Sequence, residues 1–172
     1  NMNNRLIINI LRFIGLLLLQ VLVIDNIRLG YYVHPYIYVL FIFLLPFNIP
    51  QWQLLLLGFF SGFSVDLFNG TPGLNAAATV MMAFVRPFVI NAMTRRKDIN
   101  PNDEPSLNNM GISWFIVYSI LLLSIHNITL FMLEAFSFKL IGVVLTQTLM
   151  RVFSSLMLIF IIYGYILPPV RI

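Results

Sequence analysis

The chain contains no cysteine, which excludes disulfides, thiolate metal sites and thiol nucleophiles. Charge is nearly as scarce: 9% of the 172 residues are charged, against roughly 25% in soluble domains. Apolar residues make up 60% of the sequence and mean hydropathy is +0.93, so a water-soluble fold is excluded. The two histidines, His34 and His126, lie in different segments with no H-E-x-x-H or acidic cluster to make a metal site. Ser124, two residues before His126, points to another helix face, so the pair is no nucleophile and base. There is no Walker loop and no paired-aspartate arrangement of the intramembrane protease kind. The residues therefore indicate no enzyme, no metal and no cofactor. The formal charge of +4 comes from Lys and Arg placed beside hydrophobic runs, which points to loop orientation across a bilayer and not to nucleic acid.

What is present is a series of apolar runs separated by turn residues. A helix rising ~1.5 Å per residue needs about 20 residues to cross ~30 Å of hydrocarbon. On that measure the chain reads as one all-α, polytopic transmembrane domain over residues 1–172, with about six spans. They are placed at 6–24, 31–47, 52–68, 74–92, 112–134 and 138–166. The first is longer than a signal-peptide core and lacks a small-residue cleavage site, so it reads as a retained span. Pro35 suits the first turn of the second span and Pro46 its end. Residues 93–111 form the one substantial polar loop, expected to be exposed, with the basic triplet Arg95, Arg96 and Lys97. Six spans place both termini, the 46–50 loop and the 93–111 loop on one side. Arg5, Arg95, Arg96, Lys97 and Arg171 make that side the more basic, so the positive-inside rule assigns it to the cytoplasm.

An ionisable side chain within a span costs about 2.5–3.5 kcal/mol on insertion scales, so each needs an interface or a partner. Arg12, Arg86 and Glu134 lie within about two turns of a helix end, where long stems can snorkel. Asp66 is too short for that. It ends a face on which Gly58, Gly62, Asp66 and Gly70 recur every fourth residue, followed by Gly73. The Gly58/Gly62 pair lets another backbone approach closely. Asp66 either caps the turn and the following helix or contacts a partner protein. His126 and Asn127, with Gln147, Thr148 and Arg151 on the next span, are expected to meet near mid-bilayer as a hydrogen-bonded cluster, and Arg151 to face protein.

The run from Gly58 through Gly62, Asp66-Leu67-Phe68 and Gly70 to Gly73-Leu74, leading into Ala76-Ala77-Ala78, resembles the signature region of the MreD family of bacterial rod shape-determining proteins. Chain length and span number resemble that family over the whole sequence. The resemblance implies a non-catalytic scaffold subunit of the cell-elongation machinery in the bacterial inner membrane, with both termini cytoplasmic. Implied partners are MreC, the MreB filaments, and the lateral-wall peptidoglycan synthase of RodA and a class B penicillin-binding protein. It also implies a helical arrangement similar to the S components of energy-coupling-factor transporters. From that comes the alternative, a membrane subunit that binds a small solute. On the scaffold reading the Gly58–Gly62–Asp66 face docks another protein's helix, and the Arg95–Lys97 loop serves cytoplasmic partners or the anionic surface of the lipid bilayer.

Overall fold

The computed structural model describes residues 2–27, 35–94, 100, 102–135 and 141–165. Arg95, Arg96 and Lys97 lie outside these residues, as do Arg28, His34, Lys139 and Arg171. Helix α1 (Met2–Leu18) passes into a π-helical stretch, Leu19–Ile24; it is followed by α2 (Leu40–Phe43), α3 (Gln51–Asn69), α4 (Leu74–Thr94), α5 (Leu107–Met110), α6 (Ile112–Ala135) and α7 (Ile141–Tyr165). The protein is an all-α polytopic membrane protein. Four stretches among the described residues are long and apolar enough to cross a bilayer: Ile7–Ile24, Leu74–Thr94, Ile112–Glu134 and Thr146–Tyr163. Helix α3 has 19 residues, with its apolarity diluted by Gln51, Gln53, Asp66 and Asn69.

Successive long helices pack as neighbours, α3 on α4, α4 on α6 and α6 on α7, while α1 leans on α2 and α3. Polar contacts fix the two ends of the bundle. At one end Arg12 of α1 pairs with Glu104 at 2.8 Å, the Phe47 N–H donates to the Asp103 carbonyl at 3.1 Å, and Asn48 donates to Asn102 at 2.8 Å. At the other, Asn69 at the end of α3 donates to Asp25 at 3.0 Å. Two expectations change here. Arg12 does not snorkel but holds an acid of the polar loop. The loop itself is not uniformly exposed: Pro105 and Ser106 are buried, and Ser106 caps the short α5 by accepting from the Asn109 N–H.

The larger correction concerns the second span. Residues 31–34 lie outside the description, and from Pro35 onward the chain is non-helical until the single short helix α2. Ile37, Val39, Leu40, Ile42 and Phe43 have no exposed surface. The segment is the core of the bundle, not a lipid-facing helix. Irregular backbone is tolerated at membrane depth only where protein surrounds it and meets its N–H and C=O groups. Here side chains do so. Gln20, in the π-helical stretch, accepts from the Ile37 N–H at 2.7 Å and donates to the Pro35 carbonyl at 3.2 Å. Ser155 of α7 accepts from the Tyr36 N–H at 2.9 Å.

Candidate functional site: the α3–α4 hairpin and the polar groups behind it

The turn between α3 and α4 follows from its residues. Gly70 closes α3 at φ 66° and Gly73 opens the way to α4 at φ 79°, a left-handed backbone that a side chain would strain. A Cβ on either would meet nothing within 4 Å, so these two glycines serve the turn and not helix packing. Gly58 and Gly62 are the packing pair. A Cβ on Gly58 would lie 3.1 Å from Ala83 Cβ, and one on Gly62 would lie 2.5 Å from the Asn75 carbonyl oxygen and 2.6 Å from Ala76 Cα. Helix α4 therefore rests against the bare backbone of α3. The face expected to receive another protein's helix is occupied by the chain's own next helix.

Asp66, one turn beyond Gly62, is buried and caps α4 from outside that helix. Its Oδ1 accepts from the Asn75 N–H at 3.0 Å, the Asn75 side-chain amide at 3.0 Å and the Thr71 hydroxyl; its Oδ2 accepts from the Ala76 N–H at 2.8 Å. These include two of the backbone donors that the start of a helix leaves unpaired. The geometry is that of the turn cap, with both carboxylate oxygens engaged from within the chain.

Arg86 does not snorkel to the interface. It is 1% exposed; its Nε donates to the Tyr118 hydroxyl at 2.9 Å, and its Nη2 donates to the carbonyls of Phe43, at 3.4 Å, and Leu45. Tyr118 itself donates to the Phe43 carbonyl at 3.2 Å. A short helix leaves its last carbonyls without partners, and Arg86 with Tyr118 supplies donors at and just beyond the end of α2. Arg86→Leu is expected to lower stability by about 2–3 kcal/mol, because the buried Leu45 carbonyl then loses its donor. Arg86→Lys should recover part of that loss, measured by unfolding in mild detergent.

His126 meets a different set of residues from those expected. Its Nε2 lies 2.9 Å from the Tyr38 hydroxyl, which lies 2.9 Å from Thr79 Oγ1; Thr79 donates its own proton to the Asn75 carbonyl at 2.7 Å. Because the Thr79 proton is committed, Tyr38 donates to Thr79 and the His126 Nε2–H donates to Tyr38. His126 is then the Nε2–H tautomer, with the buried Nδ1 lone pair unpartnered. The ring also packs against Tyr36, with centroids 5.1 Å apart. Arg151 takes no part in this chain. It is buried, as expected, but its guanidinium lies over the Phe131 ring at 5.5 Å, and Nε and Nη1 have no hydrogen-bond partner.

Outside the hairpin, an open groove of about 650 Å³ runs beside the turn, lined among others by Phe59, Phe63, Leu67, Pro72, Ala76 and Val80. Leu67 is 68% exposed on its rim. Asp66 also borders the groove, but its carboxylate oxygens are engaged by Thr71, Asn75 and Ala76. What the groove can do chemically is hold an apolar surface. No group of three or more His, Cys, Asp or Glu residues that could hold a metal occurs among the described residues.

Comparison with family models, curated proteins and solved structures finds no match. The geometry has to stand by itself. Sequence reasoning missed Gln20, Tyr38, Thr79, Tyr118 and Ser155 as members of the polar framework. The signal available for them was the spacing of Pro35 and Pro46: a helix confined between them would measure only about 15 Å, half a bilayer. An irregular segment was therefore called for, and polar side chains on the neighbouring helices had to serve it.

Proposed function

We propose that the chain is a non-catalytic membrane subunit that works by docking other membrane proteins. The observation that carries this reading is the apolar groove on a hairpin held rigid by Gly62 and Asp66. It is a preformed concave surface at the level of the spans, and its base needs no rearrangement to accept an apolar helix. The resemblance of Gly58–Gly73 to the MreD signature gives the reading its specific form. In that form the chain lies in a bacterial inner membrane and joins MreC, the MreB filaments, and RodA with a class B penicillin-binding protein. The end bearing Arg12 and the 93–111 loop, with Arg95, Arg96 and Lys97 in its sequence, is then cytoplasmic by the positive-inside rule.

The test is recovery of tagged protein from native membranes in mild detergent, with mass spectrometry of what stays bound. MreC and the elongation synthase are the expected companions. Leu67→Ala with Phe59→Ala should weaken their recovery without changing the thermal transition, since both side chains sit on the open side of α3. An ATPase pair with a coupling protein in their place would replace the scaffold with a solute-binding transporter subunit. Retention of every companion by the double variant would remove the groove from the docking reading.

A further inference from the structure

Where the second half of α6 passes the first half of α7, five buried side-chain atoms have no hydrogen-bond partner: His126 Nδ1, Asn127 Oδ1, Thr148 Oγ1, and Nε and Nη1 of Arg151. Their neighbours place them together. The Arg151 guanidinium lies over the Phe131 ring at 5.5 Å, and Asn127 precedes Phe131 by one turn on the same face of α6. Thr148 precedes Arg151 by three residues on the same face of α7. Ser155, one turn after Arg151, accepts from the Tyr36 N–H, and the Tyr36 ring packs on His126 with centroids 5.1 Å apart. The Arg151 charge accordingly acts on both Tyr36 and His126.

Arg151 keeps its charge wherever it sits, and a buried cation without a counter-charge is strongly unfavourable in hydrocarbon. The chain's own acids do not supply one. Asp66 is engaged by Thr71, Asn75 and Ala76, Glu134 is exposed, and no ion pair joins either to Arg151 among the described residues. Lipid phosphates are distant as well: Arg151 lies ten residues, roughly 15 Å, from the first residue of α7 and fourteen, roughly 21 Å, from the last.

The unpartnered atoms are of two kinds. The Arg151 N–H groups and the Thr148 hydroxyl are donors that make charge-assisted bonds to an anion. His126 Nδ1 and Asn127 Oδ1 are acceptors, the Asn127 amide being committed to the Leu123 carbonyl at 2.9 Å, and they need a donor. A water held by an anion gives it one O–H and has the other left for such an acceptor. His126 and Asn127 have no exposed surface and Thr148 only 5%, so the walls suit a small ion and not a bulky solute.

We propose that Arg151 and Thr148 bind a small monovalent anion of the halide class between α6 and α7, with water linking it to His126 and Asn127. The anion neutralises Arg151 and ties α7 to α6. This site lies inside the bundle and does not depend on the docking reading above.

The experiment uses the full chain purified in mild detergent at constant ionic strength, with chloride exchanged for gluconate. The thermal transition and the excess width of the chloride NMR line are both measured. Tm should rise with chloride and saturate, by on the order of 5–10 °C at about a hundred-fold excess over Kd. Bromide should reproduce the rise and displace the chloride that broadens the line. Arg151→Met should abolish both responses, and its Tm in gluconate should equal or exceed that of the wild type, because an unpaired buried charge is gone. Thr148→Val should raise the chloride Kd several-fold, and it carries the comparison if Arg151→Met does not fold. Arg12→Met, which removes a cation that has its own carboxylate, should leave both responses intact. Equal Tm in chloride and gluconate without excess line width would overturn the proposal. Responses undiminished in Arg151→Met and Thr148→Val would mean an adventitious ion only, and would overturn it too. A fall in Tm shared by Arg151→Met and Glu134→Gln and independent of chloride would identify Glu134 as the counter-charge, with the same result.

Discussion

Gly62→Leu is expected to prevent the bundle from closing. Its Cβ alone would lie 2.5 Å from the Asn75 carbonyl oxygen, 2.6 Å from Ala76 Cα and 2.7 Å from Ala76 N, all backbone atoms of α4 that cannot swing aside as a side-chain tip can. Helix α4 would have to move away bodily. It is pinned one turn further on by Asp66, so the movement also breaks the cap. Overpacking ordinarily costs about 1–3 kcal/mol and each charge-assisted hydrogen bond lost adds about 1.5–3. The sum approaches the 5–15 kcal/mol that holds a typical domain together. Loss of the cooperative thermal transition in mild detergent is the expected readout, with Gly62→Ala already severely destabilised. Gly58→Ala, whose Cβ would meet Ala83 Cβ at 3.1 Å, should cost about 1 kcal/mol. Gly15→Ala, with nothing within 4 Å, should be neutral or slightly stabilising. A normal transition for Gly62→Leu would mean that α3 and α4 are not packed backbone to backbone.

Asp66→Ala is expected to have the second largest effect, about 3–5 kcal/mol, or a fall in Tm on the order of 10 °C. The substitution removes the acceptor of the Asn75 N–H, the Asn75 amide, the Ala76 N–H and the Thr71 hydroxyl together. At the start of an exposed helix such donors turn to solvent; here Asp66, Asn75 and Ala76 are buried, and the freed donors stay unpaired. Asp66→Asn keeps one oxygen but turns an NH2 toward one of the backbone donors, so its loss should fall between those of wild type and alanine. Gly62 and Asp66 hold the same stretch of α4, and the double variant should cost clearly less than the sum of the two single ones. A change below 1 kcal/mol for Asp66→Ala would show that the cap does not hold α4.

The parts of the fold legible in the sequence are those whose partners are close in sequence. Asp66 meets Asn75 and Ala76 at separations of 9 and 10 residues, and the Gly-Thr-Pro-Gly turn between them reverses the chain sharply. Fourfold glycine spacing and a capping acid can therefore be read directly. Long apolar runs between turn residues likewise locate α3, α4 and α6. What could not be read is the role of residues whose partners are distant. Ile37 is served by Gln20 at a separation of 17, Leu45 by Arg86 at 41 and Tyr36 by Ser155 at 119. Nothing near Arg86 or His126 in the sequence announces a carbonyl or a tyrosine from elsewhere. The face that looked available to a partner failed for a related reason: glycine spacing reports that a backbone can come close, and does not say whose.

The irregular segment at the centre also sets a timetable for biogenesis. A helical span can leave the insertion machinery as soon as its own residues are made, because its backbone is paired within itself. Residues 35–45 cannot, since Gln20 serves only Pro35 and Ile37, and the groups that pair Tyr36, Phe43 and Leu45 arrive with α4, α6 and α7. Ser155 is made 119 positions after Tyr36, an interval on the order of ten seconds at roughly 5–20 residues per second. For that time the middle of this protein needs water or a holding surface, and a chain truncated after α6 should remain bound to the insertion machinery.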